Sequence, residues 1–146
     1  MNHSLAIALA ALSGAVLPLQ VLINARLGQG LGNASWATAV SFVVGTLGLL
    51  VWITLSRQQA DWPGALALPW WAWVGGLLGA VYVSLTIVTV PVLGATALVV
   101  LLVLGQMVAG TLLDHFGVLT TVQPVNGAKL LGLALVLAGT WLVVKN

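Results

Sequence analysis

Five apolar runs, each about as long as a bilayer is thick, decide what this chain can become. They lie at about 4–25, 34–55, 69–90, 92–114 and 128–144. A spanning helix needs about 20 mainly apolar residues, each rising about 1.5 Å. Inside hydrocarbon no water is present to satisfy a free backbone group, so each run must close its own hydrogen bonds as a helix. Hydrophobic residues are 61% of the chain and charged residues only 4%, whereas a soluble domain carries about 25% charged residues. No soluble core could enclose so much apolar side chain. The expected fold class is an all-α integral membrane protein with five transmembrane helices in a single domain, 1–146. No internal repeat divides it.

The same composition removes several functions. There is no cysteine, hence no disulfide framework, thiolate metal site or cysteine nucleophile. Two histidines and two acids, widely spread, match no metal-ligand spacing. No phosphate loop, paired carboxylate or Ser/His/Asp order suggests catalysis, so neither an enzyme nor a cofactor is expected. The net charge of +2 comes from few side chains and carries no nucleic-acid signal. The start, Met1-Asn2-His3-Ser4, lacks the basic n-region of a signal peptide. The first run is therefore expected to be a retained helix.

One stretch breaks the apolar pattern. Leu17-Pro18-Leu19-Gln20-Val21-Leu22-Ile23-Asn24-Ala25-Arg26-Leu27-Gly28 puts a helix breaker, two amides and a guanidinium at the end of the first run. A polar group in hydrocarbon costs several kcal/mol unless it finds a partner, and such groups tend to face a bundle interior or a water-filled path. Ser13, Leu17, Gln20 and Asn24 share a helical face. Pro18 frees the carbonyl of Gly14, which either opens backbone toward a cavity or only adjusts tilt. Arg26 lies roughly 200° round the helix from Asn24. It is an interface anchor, a contact for an anionic solute, or a partner for an acid such as Asp114. The glycines from Gly28 to Gly32 mark the end of this helix, and Asn33 is placed to cap the next.

Other polar residues fall on the later runs. Thr38, Ser41, Gly45, Gly48 and Trp52 form a stripe on the second, read mainly as close packing. Tyr82 and Thr86 sit near the middle of the third, on a face with Gly75, Gly79 and Thr89. In the fourth, Gln106, Gly110 and Asp114 align at spacings of four, and His115 follows. Asp114 and His115 are either proton-active groups at the membrane edge or loop residues in water. Asn126 can cap the last helix, where Gly132 and Gly139 mark a packing seam. Between Ser56 and Leu68 lies the one clearly aqueous loop, and Trp62, Trp70, Trp71 and Trp73 gather where it meets the third run. Indole rings favour the headgroup layer, so these are expected as belt anchors.

Five spans alternate sides. Arg57 and Lys129 then share the side of the N-terminus, and Arg26 and Lys145 share the other. Orientation follows an excess of Lys/Arg in short loops, and two against two is no excess. Dual topology with antiparallel pairing accounts for this balance, as does one orientation set by other means.

Gln20-Val21-Leu22-Ile23-Asn24-Ala25-Arg26-Leu27-Gly28 resembles the first-helix signature of the YdcZ-type membrane proteins, a short branch of the drug/metabolite transporter superfamily. The stretch from Pro69 to Ala80 is similar to theirs, as are Gly105-Gln106, the segment from Leu112 to Gly117, and the closing helix from Leu131 to Gly139. The resemblance implies a bacterial inner-membrane exporter and a ten-helix bundle made from two copies. One departure matters. The small multidrug exporters carry a membrane-embedded glutamate in the first helix, and this chain has no acid there. Their proton-coupled cation exchange is not carried over.

The resulting expectation is a secondary transporter of a small polar or amphipathic solute, sited at an antiparallel homodimer interface. Gln20, Asn24, Tyr82, Thr86 and Gln106 are the candidate solute contacts. Arg26, Asp114 and His115 are candidates for a charge or proton role. A passive channel and a non-transporting membrane subunit remain alternatives.

Overall fold

The structure, a computed structural model, describes residues 2–145; Met1 and Asn146, the outermost residues of the expected domain, lie outside them. Among the described residues six α-helices follow one another: α1 His3–Leu31, α2 Ala34–Leu55, α3 Trp62–Leu66, α4 Gly75–Leu93, α5 Ala95–Phe116 and α6 Gly127–Lys145. Among the described residues, all but the short α3 are long and apolar enough to cross a membrane. The helices sort into two compact units, one ending at Pro91 and the other starting at Val92.

The helix ends differ from the sequence expectation in instructive ways. α1 does not stop near residue 25 but runs through Gly28 and Gly30 to Leu31. Gly32 ends it, with φ 64°. Its N–H donates to the Gln29 carbonyl at 3.3 Å, and Asn33 N–H reaches the Gly28 carbonyl at 3.1 Å. This paired closure satisfies the last carbonyls and needs the left-handed backbone that glycine adopts freely. A glycine inside a helix costs about 1 kcal/mol relative to alanine, but apolar surroundings offer the backbone no competing partner. The earlier glycines therefore do not break the helix. α5 ends two residues later than expected, by the same closure at Gly117.

α4 begins later than residue 69. Pro69 is extended, Trp70–Trp73 forms a 3-10 turn, and the α-helix opens only at Gly75. At its other end it continues past Pro91 to Leu93. A proline there forfeits a single bond, to the carbonyl four residues back. Gly94 (φ 76°, ψ 161°) is then all that separates α4 from α5. That backbone region is essentially reserved for glycine. Side-chain caps start the helices where expected: Asn33 Oδ1 accepts from Ser35 N at 2.8 Å, and Asn126 Oδ1 from Lys129 N at 2.9 Å.

In the first unit α1, α2 and α4 pack around Ala37, Val83 and Ile87, with Leu27, Ala34 and Tyr82 at the margin. The core is small and its residues are slender, because helices in lipid gain from close backbone approach rather than from expelling water. Gly28 is the clearest case. A Cβ added there would lie 2.9 Å from Ile87 Cγ2 and 3.7 Å from Ala37 Cβ. Gly79 similarly lies under Phe42, whose ring edge would be 3.3 Å from an added Cβ. In the second unit α5 and α6 run antiparallel, with Leu98 and Thr140 buried between them. Added Cβ atoms at Gly132 and Gly139 would meet nothing within 4 Å, so the expected glycine seam on α6 is not filled inside the chain. Large apolar residues such as Leu49, Leu78 and Leu131 face outward, the reverse of a soluble domain.

Gly28→Val should destabilise the first unit by about 1–3 kcal/mol through overpacking against the stiff Ile87 side chain. Gly14→Ala, where a Cβ meets nothing within 4 Å, should be neutral or stabilising by up to about 1 kcal/mol. Denaturant titration of helicity in detergent distinguishes them; equal behaviour of the two variants would refute the close approach.

Candidate functional site

The first unit assembles its polar groups at the seams between helices. α1 buries a stripe of Val21, Asn24, Ala25 and Gly28 at spacings of three and four. Asn24 is only 6% exposed, and its Oδ1 accepts a hydrogen bond from Ser41 Oγ on α2 at 2.6 Å. Three residues earlier on α2, Thr38 Oγ1 donates to the Ala34 carbonyl at 3.0 Å and lies 2.9 Å from Ser84 Oγ on α4. With Thr38's one proton on that carbonyl, Ser84 is the donor of the second bond. Two inter-helix hydrogen bonds thus flank the Ala37 contact, one tying α1 to α2 and one tying α2 to α4.

Each expected solute contact has a definite place. Thr86 is buried and donates to the Val83 carbonyl at 2.8 Å, so its hydroxyl is satisfied within α4. Tyr82 is half-buried and packs on the Ala37, Val83 and Ile87 core. Gln20 faces outward, one helical step off the buried stripe of α1. Gln106, on α5 in the second unit, is also exposed, halfway along its helix. Asn24, Tyr82 and Thr86 therefore belong to the packed part of the first unit, and the two glutamines do not.

The charged candidates sit near helix ends. Arg26 is exposed on the far side of α1 from the buried stripe, and its Nη1 donates to Gln29 Oε1 at 3.4 Å. The main chain of Asp114 is the anchor of the 117–126 connection, its carbonyl accepting from Gly117 N at 3.3 Å and Gln123 N at 2.8 Å. His115 Nδ1 accepts from Val125 N at 3.3 Å, and its ring stands edge-on to Phe116 at 5.0 Å. These two residues thus have a structural role in fixing the connection between α5 and α6.

One turn beyond Asn24, a groove of about 310 Å³ opens beside Gly28, Gln29, Asn33, Ile87 and Pro91. Its amides come from the end of α1 and the start of α2, and Arg26 reaches it through Gln29. Ser41 and Ser84 were not singled out from the sequence as site residues. Ser41 lay in a stripe read as packing. Ser84 stands off the Tyr82/Thr86 face by about 200°, so no spacing argument reaches it.

A family model described as "Putative inner membrane exporter, YdcZ" matches residues 5–142. The chain belongs to the YdcZ family. It is a multi-pass protein of the bacterial inner membrane, with five apolar helices among its described residues. Among curated proteins it is similar to the inner membrane protein YdcZ of Escherichia coli strain K12, with 29% identity over 148 aligned positions covering 100% of this chain and 99% of that one. No solved structure matches the chain significantly. In this YdcZ-family chain the first-helix segment from Gln20 to Gly28 contributes the buried Asn24, the close contact at Gly28 and the outward Gln20 and Arg26.

A double-mutant cycle between Asn24→Ala and Ser41→Ala, read from unfolding in detergent, should give a coupling of about 0.6 kcal/mol, with about 1.7 kcal/mol the upper end for such bonds in membranes. Additive single effects would mean that the α1–α2 hydrogen bond adds nothing to stability.

Proposed function

We propose that this protein is a secondary transporter that exports a small polar or amphipathic solute, with its pathway at the interface of an antiparallel homodimer. The observation that carries the reading is the exposure of Gln20 and Gln106. Both lie near the middle of apolar helices, where an amide facing lipid costs several kcal/mol. A second copy that covers them, or a water-filled path between copies, removes that cost. The family description supports export, and the absence of an acid from the first helix favours a neutral or anionic solute over a bare cation.

In this reading Gln20, Asn24, Tyr82, Thr86 and Gln106 line the pathway, with the amides as its polar contacts. Asn24 has given its oxygen to Ser41, so its amide hydrogens are the part left for a solute acceptor. Tyr82 and Thr86 shape the wall. Arg26 biases the mouth toward anions, while Asp114 and His115 act at the membrane edge. Many transporters place the site at the interface of inverted repeats near the midplane. Two copies in opposite orientation give that symmetry, and the two-against-two balance of Arg57 and Lys129 with Arg26 and Lys145 permits both insertions.

Two measurements test this. C-terminal fusions to a reporter active only in the cytoplasm, and to one active only outside it, should both give signal; signal from one alone rejects antiparallel pairing. For transport, the small solutes in the medium of producing cells should be compared with those from cells making Gln20→Ala or Asn24→Ala at equal membrane abundance. At least one polar or amphipathic solute should accumulate outside with the unaltered protein and fall at least about tenfold with either variant, corresponding to about 1.4 kcal/mol. Identical media would end the export reading.

A further inference from the structure

The second unit holds a cavity that the transport reading does not use. A groove of about 410 Å³ runs between α5 and α6, floored by Leu101, Leu104 and Leu137 and reaching Val144 at the end of α6. Its α6 wall is the row Leu137, Thr140, Trp141, Val144 and Lys145, which lie on one helical face. From the first to the last of these the groove is about 12 Å long, at about 1.5 Å per residue. It is therefore a slot that starts at the helix end and goes down into the apolar layer.

The polarity of the slot is graded. Its lower part is leucine alone, from Leu101, Leu104 and Leu137. The one hydroxyl, on Thr140, is buried and directed at the Val100 carbonyl, 3.4 Å away, so it is no handle for a polar solute. Among the described residues, the charge on its lining is at the mouth, where Lys145 Nζ sits 4.7 Å over the Trp141 ring. The ring contact draws the ammonium to the rim of the slot, and the carbonyl end of α6 favours a cation there. Trp141 is itself a headgroup-layer residue by its amphipathic ring. An occupant must then be apolar over most of its length and anionic at one end.

We propose that this groove seats an anionic phospholipid, with an acyl chain along Leu104 and Leu137 and the phosphate against Lys145. The charge at the mouth separates this from general lipid contact, since a zwitterionic lipid fills the slot equally well but gains less from the ammonium. It also separates it from a second protein helix, which would bring no anion to Lys145 by default. The site is independent of the solute pathway, which was assigned from other residues.

The test uses the full chain purified in detergent and placed in nanodiscs of equal parts phosphatidylglycerol and phosphatidylcholine. After extraction, the lipids that stay bound are counted by native mass spectrometry. The unaltered protein should retain phosphatidylglycerol about fivefold over phosphatidylcholine, the preference expected of one basic residue near an anionic headgroup. Lys145→Gln should bring the two lipids near parity, and Lys129→Gln, at the opposite end of α6, should keep the preference. Leu104→Trp, which fills the slot, should lower retention of both lipids while leaving helicity by circular dichroism unchanged. Parity in the unaltered protein, or an unchanged preference in Lys145→Gln, overturns the proposal. So does efficient cross-linking of two copies through Leu104→Cys in the same discs, which would make the groove a protein interface.

Discussion

Hydrocarbon supplies no hydrogen-bond partner, and the polar side chains of this protein divide according to how each meets that condition. Several short hydroxyls fold back on their own helix. Ser13 donates to the Leu9 carbonyl, Thr54 to Leu50 and Thr89 to Leu85, all at 2.7–2.9 Å. A hydroxyl can do this because its single proton reaches a carbonyl one turn earlier. An amide has two donors and an acceptor and cannot close on itself in that way. An amide in mid-helix must therefore look beyond its own helix. Asn24 finds Ser41, whereas Gln20 and Gln106 face out.

The packing of the first unit follows from the same solvent. With lipid on every side, burying a leucine gains little, so what holds helices together is backbone proximity and hydrogen bonding across a seam. Gly28 and Ala37 let α1, α2 and α4 approach, and the Asn24–Ser41 and Thr38–Ser84 bonds lie beside that contact. Small residues and polar bonds support each other here. A larger side chain at position 28 would push apart the helices that must stay close for hydroxyl and amide to meet.

Much of this was legible in the sequence. Five spans, the caps at Asn33 and Asn126, and the special character of the segment from Gln20 to Gly28 all follow from composition, turn chemistry and the cost of buried polarity. The limits of α1 and α4 were not legible, because glycine and proline were read by rules that hold in water. Gly28 and Gly30 do not end a helix when nothing competes for its backbone bonds, and Pro91 costs little so close to a terminus. The site was half legible. Helical spacing grouped Gln20 with Asn24, and about 40° of rotation between them is enough to put one on the rim and the other in the seam. Ser84 was out of reach altogether, since only the crossing of α2 and α4 makes it a partner for Thr38.

All seven tryptophans are exposed on the chain, and four of them fall within residues 62–73. Intrinsic fluorescence of this protein will thus be dominated by one short segment and by whatever surrounds it, lipid headgroups or detergent. Separation of α1 from α2 transfers no indole from a protein interior to water and leaves emission nearly constant. A flat fluorescence trace on heating would be no sign of an intact bundle, and quenching by lipids brominated at known depths would chart the 62–73 segment far better than it charts the helices.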